Sequence, residues 1–267
     1  MKSVDLFECS RRFHQVVMEV IQQNDFPMTA TMTVEEQLHS RRHIHQWIED
    51  MSCFLRFVSL DDPVLDFGAG SGFSSVSFAF AGCHVNAIDI DNYMSDVPSH
   101  ARLAQEQLVL MRRLKSAFGN LEFQHYKGQI PFPDKTFKGV MAYGVLEHVP
   151  DELHASVMSE LRRVLMPGGY LFISYLPRKL ALCEHLTKWL GRPHHDRLWG
   201  DREIRAFLKH HRFDICHFRR IAFAPQHPSH FANRFEHLFN ALDYLAQFTP
   251  LGLFSHHLRI VARRTVE

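Results

Sequence analysis

The sequence predicts an α/β protein: a doubly wound, mostly parallel seven-stranded sheet with helices ahead of it and a helical insertion near the C-terminus. Three observations carry that prediction. Val64-Leu65-Asp66-Phe67-Gly68-Ala69-Gly70-Ser71-Gly72-Phe73 reads as a buried strand, a glycine turn and a helix start. Short apolar runs then alternate with amphipathic helical stretches, the rhythm of parallel crossover units. With 267 residues, 46% hydrophobic and 22% charged, the chain has an ordinary globular balance and length enough for one large core.

The elements follow in order. Over residues 3–23, Val4, Phe7, Phe13, Val16, Val17 and Val20 recur at helical spacing until Pro27 interrupts. Thr33 with Glu36 forms a capping-box pattern for a second helix through Leu38, Ile44, Trp47, Ile48, Met51 and Leu55. Strand one is 64–67, and Ser71 or Ser74 caps the helix through Val76, Phe78 and Phe80. Strand two is 85–89, and a helix with Leu103, Leu110, Met111, Leu114 and Phe118 follows. Strands three and four fall at 121–124 and 140–143. Asp151 caps a helix with Leu153, Val157, Leu161, Val164 and Leu165 inward; Pro167-Gly168-Gly169 ends it, and 170–175 is strand five. Asp201 opens another helix, 213–221 is strand six, and 258–263 is the last strand.

Two stretches interrupt this rhythm. Residues 177–200 hold a short helix near 180–190, and 223–256 hold a Phe-rich helix with Phe231, Phe235, Leu238, Phe239, Leu242 and Leu245. That helix either lines an apolar pocket or packs on the sheet, with packing the preferred reading. The chain divides into an N-terminal helical segment, 1–60, and the sheet domain, 61–267.

A net charge of +1 provides no long-range field for nucleic acid. Five widely spaced cysteines without a C-x-x-C pattern fit free thiols in a reducing cytosol, and no stretch reads as a stable membrane span, so the expected location is cytoplasmic. Twenty histidines include the adjacent pairs His194-His195, His210-His211 and His256-His257, whose side chains point to opposite faces of a strand or about 100° apart on a helix. No histidine spacing supplies a convincing ligand triad, so no metal site is expected.

The glycine turn carries the chemistry. Its pattern is D-x-G-x-G-x-G, and Phe73 stands where a G-x-G-x-x-G dinucleotide fingerprint needs its third glycine, which disfavours NAD(P). The alternating glycines allow positive φ and close approach of backbone to a ligand, with N–H groups aimed over the strand end. Asp66 suits a ligand with a cationic end better than a pyrophosphate. Seventeen residues past Gly72, strand two ends in Asp89, where an acid hydrogen-bonds ribose hydroxyls; Asp91 is the competing acid.

Further on stand Pro131-Phe132-Pro133-Asp134-Lys135-Thr136-Phe137, then Val145-Leu146-Glu147-His148-Val149, then Val164-Leu165-Met166-Pro167-Gly168-Gly169. With the glycine turn, these motifs over residues 60 to 220 resemble the class I S-adenosylmethionine-dependent methyltransferases with LDxGxGxG, VLEHV and VLxPGG motifs. The resemblance implies a Rossmann-like sheet, S-adenosylmethionine as methyl donor and S-adenosylhomocysteine as product. It places Asp66, Phe67, Gly68, Ala69, Gly70 and Gly72 at the amino-acid end of the cofactor, Asp89 on the ribose, Ile90 on the adenine, and Tyr143 and Gly144 along the methionyl part. It implies a lid in the N-terminal helices; a plain packing role is the alternative. Relatives carry an acid for the adenine amino group where this chain has Tyr126 and Lys127, which leaves backbone groups or Gln129 for that task.

For catalysis, His148 past strand four and His195 in the first insertion are the candidate bases, and Arg178, Arg192 or Arg197 offers a cation for an acidic acceptor. The resulting reading is methyl transfer to a small-molecule, sugar or lipid-linked acceptor, with O-methylation ranked first. Ala142-Tyr143-Gly144-Val145 lacks the Asn/Asp-Pro-Pro-Tyr of exocyclic base amine methylation. The alternatives are a protein side chain as acceptor, or a catalytically inactive cofactor-binding fold serving as an interaction module. The oligomeric state is open.

Overall fold

A computed structural model describes residues 4–24, 39–90, 98–189, 191, 195, 197–226 and 228–266. Its centre is β1 (Pro63–Phe67), whose Val64, Leu65, Asp66 and Phe67 are all buried. β2 (His84–Ile90) and β4 (Phe137–Tyr143) flank β1 in parallel; β3 (Leu121–Tyr126) pairs with β2, and β5 (Leu165–Pro177) with β4. β7 (His257–Arg264) runs antiparallel between β5 and β6 (Phe213–Ile221). The order β3-β2-β1-β4-β5-β7-β6 reverses direction of travel between β1 and β4, the position where such sheets open a crevice at their carboxyl ends.

Helices cover both faces. On one lie α1 (Leu6–Asn24), α2 (Arg41–Phe54), α3 (Phe73–Ala81) and α4 (Pro98–Phe118), joined through Phe13, Trp47, Met51, Phe78, Met111 and Phe172. On the other, α5 (His154–Val164) and α7 (Asp201–His210) bring Met158, Leu161, Ile204 and Leu208 against Leu65, Val140 and Ile173. Phe172 faces one layer and its neighbours Leu171 and Ile173 the other, the period-2 alternation of a strand buried on both sides. No helix among the described residues is long and apolar enough to cross a membrane.

α2 is tied into this core, not merely laid over it. Trp47 stacks on Phe73 at 3.9 Å, and Phe54 on Phe172 at 5.0 Å. Its fully buried Asp50 accepts from Ser174 Oγ and pairs with Arg259 Nε of β7, both at 2.5 Å. Arg42 clamps the second insertion, reaching Asp243 and Asn240 at 2.6 Å and Pro225 O at 3.0 Å.

Several local expectations are corrected. α2 is capped by Ser40, whose Oγ accepts from His43 N–H. The Thr33–Glu36 pattern, Asp91 and Arg192 lie outside the described residues. Neither Ser71 nor Ser74 caps α3, because Gly72 holds that position and Ser74 donates to Asp66 instead. Asp151 begins a 3-10 turn, Asp151–Leu153, before α5. Pro167-Gly168-Gly169 does not separate helix from strand; β5 already starts at Leu165. The β4–β5 register explains this. Phe137 faces Leu165 while Gly139 faces Tyr170, so the Pro-Gly-Gly segment bulges out of the ladder without ending it.

The Phe-rich stretch forms α8 (Ser229–Arg234) and α9 (Glu236–Ala246), whose main packing is on α2 rather than on a sheet strand. Phe239 and the small Ala232 and Ala246 are buried, whereas Phe231, Phe235, Leu238 and Leu245 stay exposed.

Candidate functional site

A cavity of about 1710 Å³ opens over the carboxyl ends of β1 to β5. It exceeds the roughly 300–1,000 Å³ common for a single ligand. One end is built from the glycine turn and β2, and the other from the two insertions.

At the first end, Phe67, Gly68, Ala69, Gly70, Asp89 and Ile90 line the wall, with Tyr126, Lys127, Gly128 and Gln129 beside them. Gly68 and Gly70 have φ of +75° and +51°. A Cβ at Gly68 would lie 2.7 Å from Val145 Cγ2, whereas one at Gly70 would meet nothing within 4 Å. Bare main chain therefore faces the cavity at Gly70. Three of the N–H groups that the motif suggested for a ligand are used within the fold. Gly68 and Ala69 N–H donate to Ile88 O at 2.9 and 3.0 Å, and Gly70 N–H donates to Asp89 Oδ2 at 2.8 Å. The left-handed turn thus folds the amides of Gly68, Ala69 and Gly70 back onto the end of β2, away from a pyrophosphate.

Asp89 is 6% exposed and also accepts from Ile90 N–H and Gln107 Nε2, each at 2.8 Å. A carboxylate offers about four acceptor positions, so one remains for a ligand hydroxyl. Gln107, on α4, is held in turn by His125 Nε2 at 2.7 Å. Nothing in the sequence motifs marked it, since it reaches the site from a helix 37 residues beyond Gly70.

Asp66 and Gly72 do not reach the cavity. Asp66 is fully buried beneath the turn, accepting from Ser74 and Ser75 Oγ at 2.8 and 2.5 Å. Burial pushes its carboxyl up to about 6. Its place is under the turn, whose helix start it fastens. Gly72 sits against Met111 and Leu114, where a Cβ would come within 2.6 Å of the Met111 sulfur.

The middle of the cavity is formed by Tyr143 and Gly144, followed by Glu147 and His148. Tyr143 stacks on Tyr175 at 4.9 Å, and burial raises its phenol well above the ordinary range. Tyr175, at a positive φ of +58°, turns its hydroxyl to Gln226 Oε1 at 2.9 Å. With that proton committed, His43 Nδ1 is the donor to Tyr175 Oη at 2.7 Å. Glu147 is 7% exposed, and its Oε2 has no hydrogen-bond partner among the described residues. Burial pushes its carboxyl up to about 7. The VLEHV motif points to His148, and the structure adds Glu147 beside it.

At the far end, His195, His256, His257, Cys183 and Leu186 line the wall with Ala222–Gln226. The His195 ring lies 6.1 Å from that of His148, so the structure brings the two candidate bases together. Glu184 of α6 (Leu182–Trp189) accepts from His195 Nδ1 at 2.8 Å and from His256 Nε2 at 2.5 Å. These contacts outweigh burial and hold its carboxyl below the usual range. His256 and His257 do not diverge as strand neighbours would. His256 precedes β7, and the two rings stack at 3.7 Å.

The arginines proposed for an acidic acceptor are committed elsewhere. Arg178 is buried on Asp201 and on the carbonyls of Leu253 and Ser255. Arg197 pairs with Glu203 and Asp151 over the Trp199 ring.

Comparison with known proteins agrees with this arrangement. Residues 65–173 match the family described as "Methyltransferase domain". A ubiquinone biosynthesis O-methyltransferase of Hahella chejuensis is 31% identical over 173 residues, 61% of this chain and 67% of that protein. A demethylmenaquinone methyltransferase of Tropheryma whipplei is 30% identical over 122 residues, 46% of this chain and 45% of that one, so the match spans about half of such a relative. An S-adenosylmethionine-dependent methyltransferase of Methanosarcina mazei superposes with a TM-score of 0.56 at 20% identity, covering 80% of this chain and 98% of that one. Strand order, glycine turn, Asp89 and these likenesses converge: the chain belongs to the class I S-adenosylmethionine-dependent methyltransferases.

Proposed function

We propose that this chain transfers the methyl group of S-adenosylmethionine to an oxygen of a small-molecule, sugar or lipid-linked acceptor. One observation carries the reading. A single cavity joins a bare glycine turn and a buried carboxylate, Asp89, to a second chamber beginning at Glu147 and His148. The relatives named for O-methylation in ubiquinone biosynthesis support a small hydroxylated acceptor.

The donor end fits the cofactor. Asp89 keeps an acceptor site for ribose hydroxyls, Ile90 and Tyr126 offer apolar surface to adenine, and Gly70 leaves room at the turn. When bound, the cofactor supplies an electrophilic methyl group with its own leaving group. The protein's part is then to orient the acceptor and exclude water, which contributes roughly 7–11 kcal/mol in well-ordered sites. Tyr143, Tyr175, His43 and Gln226 form a hydrogen-bonded and stacked wall that holds acceptor and cofactor in line. Glu147 and His148 stand where an acceptor proton leaves, and a base near neutrality suits that transfer. Within the N-terminal segment, α2 contributes His43 to the cavity wall.

Calorimetry with S-adenosylmethionine tests the donor end. Wild type binds, and Asp89→Ala loses about 1.5–3 kcal/mol, a Kd increase on the order of 10–150-fold. Unchanged affinity in that variant removes Asp89 from the site. Isotopically labelled methyl donor in cell extract, followed by mass spectrometry, identifies the acceptor; label on nitrogen or carbon alone overturns O-methylation.

A further inference from the structure

We propose that Glu184, His195 and His256 form a binding site for a divalent cation of the zinc class at the acceptor end of the cavity. The three groups come from different places: α6, the connection after it, and the residue before β7. Their ligand atoms all lie within 4.8 Å of one another. Bonds of about 2.0–2.2 Å in a tetrahedral site space the ligand atoms by roughly 3.4 Å, within reach of small side-chain rotations here. Two imidazoles and one carboxylate are the donor set of open, catalytic zinc sites, with a position left for water or substrate.

Two further observations point to a missing positive charge. Glu184, bonded to two histidines of the cavity wall, is 5% exposed, and Glu147, 7% exposed on that wall, has an Oε2 without a hydrogen-bond partner among the described residues. Ionising both buried carboxylates is costly unless a cation offsets them, and a bound metal is the largest such charge available. No arginine or lysine fills that role: apart from the remote Lys127, none lines the cavity among the described residues. The ligand set is also placed usefully. His195 and His256 line the cavity, and His195 stands beside His148, so a further ligand to the cation would come from the cavity side. A hydroxyl oxygen bound there is the ligand class expected, because a divalent cation lowers the pKa of a coordinated hydroxyl. That use of the metal rests on the methyl-transfer reading; the existence of the site does not.

The test uses the full chain, stripped with chelator and titrated with Zn²⁺ against a chromophoric competitor. Twenty histidines make loose, multiple binding the outcome to beat. The expected result is one tight equivalent per chain, and loss of a direct ligand in Glu184→Gln or His256→Ala raises Kd by at least ~100-fold, the upper end of what outer-sphere changes cause. Co²⁺ in place of Zn²⁺ should give the visible absorption of a low-coordinate site, lost in the same variants. Circular dichroism confirms their folding. If Glu184→Gln does not fold, His256→Gln with the spectroscopic readout decides. Equal Zn²⁺ binding by wild type and variants, or no stoichiometric binding, overturns the site and leaves Glu184 as a hydrogen-bond acceptor for two histidines. S-adenosylmethionine affinity, measured alongside without metal, separates this failure from failure of the donor site.

Discussion

Two alanine substitutions two residues apart distinguish the two tasks of the glycine turn. At Gly68, φ is +75° and a Cβ would press to within 2.7 Å of Val145 Cγ2 and 3.1 Å of Cγ1. The left-handed backbone costs an L-residue about 1–2 kcal/mol, and crowding a packed side chain adds roughly 1–3 kcal/mol. A less flexible unfolded chain returns about 0.4–1 kcal/mol. Gly68→Ala should therefore lose about 2–4 kcal/mol, and for a chain of this size the melting point falls by roughly 5–15 °C. At Gly70 the same backbone cost applies, but a Cβ meets nothing within 4 Å and projects beside the cavity. Gly70→Ala should lose no more than about 1.6 kcal/mol of stability while its S-adenosylmethionine Kd rises tenfold or more, about 1.4 kcal/mol. Differential scanning fluorimetry and calorimetry read the two quantities on the same samples. Equal destabilisation by both variants, or an unchanged Kd in Gly70→Ala, would refute the division of labour.

Three other outcomes are expected. His148→Ala should reduce turnover with the identified acceptor far more than cofactor affinity; unchanged kinetics removes it from proton transfer. Glu147, raised to about 7 by burial, stays protonated in the fold at pH values where the unfolded chain has ionised it, so its contribution is present below about 4.5 and lost as pH rises through 7. Glu147→Gln should thus match wild type near pH 4 but exceed it by up to about 3 kcal/mol at pH 8 in urea unfolding with chelator present; a pH-independent difference contradicts the buried, unpaired carboxylate. Arg259→Met removes the counter-charge of the buried Asp50 of α2, and should cost about 3–5 kcal/mol. Adding Asp50→Asn should restore part of that loss, and failure to do so argues against the pair as its source.

Much of this architecture was legible in the residues because strand and helix periods are local. β6 runs from 213 to 221 as its apolar pattern indicates, and β1 through β4 extend the expected runs by one to three residues at an end. The Pro-Gly-Gly segment misled because a bulge in a ladder depends on the partner strand, and only the β4–β5 register reveals it. Asp66 differs: a carboxylate in a ligand motif points to the ligand, while Ser74 and Ser75, eight and nine residues later in the first turn of α3, hold it. The acceptor end was illegible for a third reason. Glu184, His195 and His256 are 11 and 61 residues apart, and only the return of the second insertion to the head of β7 gathers them.

That return has an evolutionary corollary. Residues 222–226 leave β6 and residues 256–257 re-enter at β7, so the excursion between two neighbouring strands is a cassette with adjacent splice points. Its departure and arrival both furnish wall at one pole of the chamber, while the opposite pole is drawn from residues before 130. Under the proposed function, exchanging this excursion for another would alter the pole that meets the acceptor and leave the residues of the opposite pole in place.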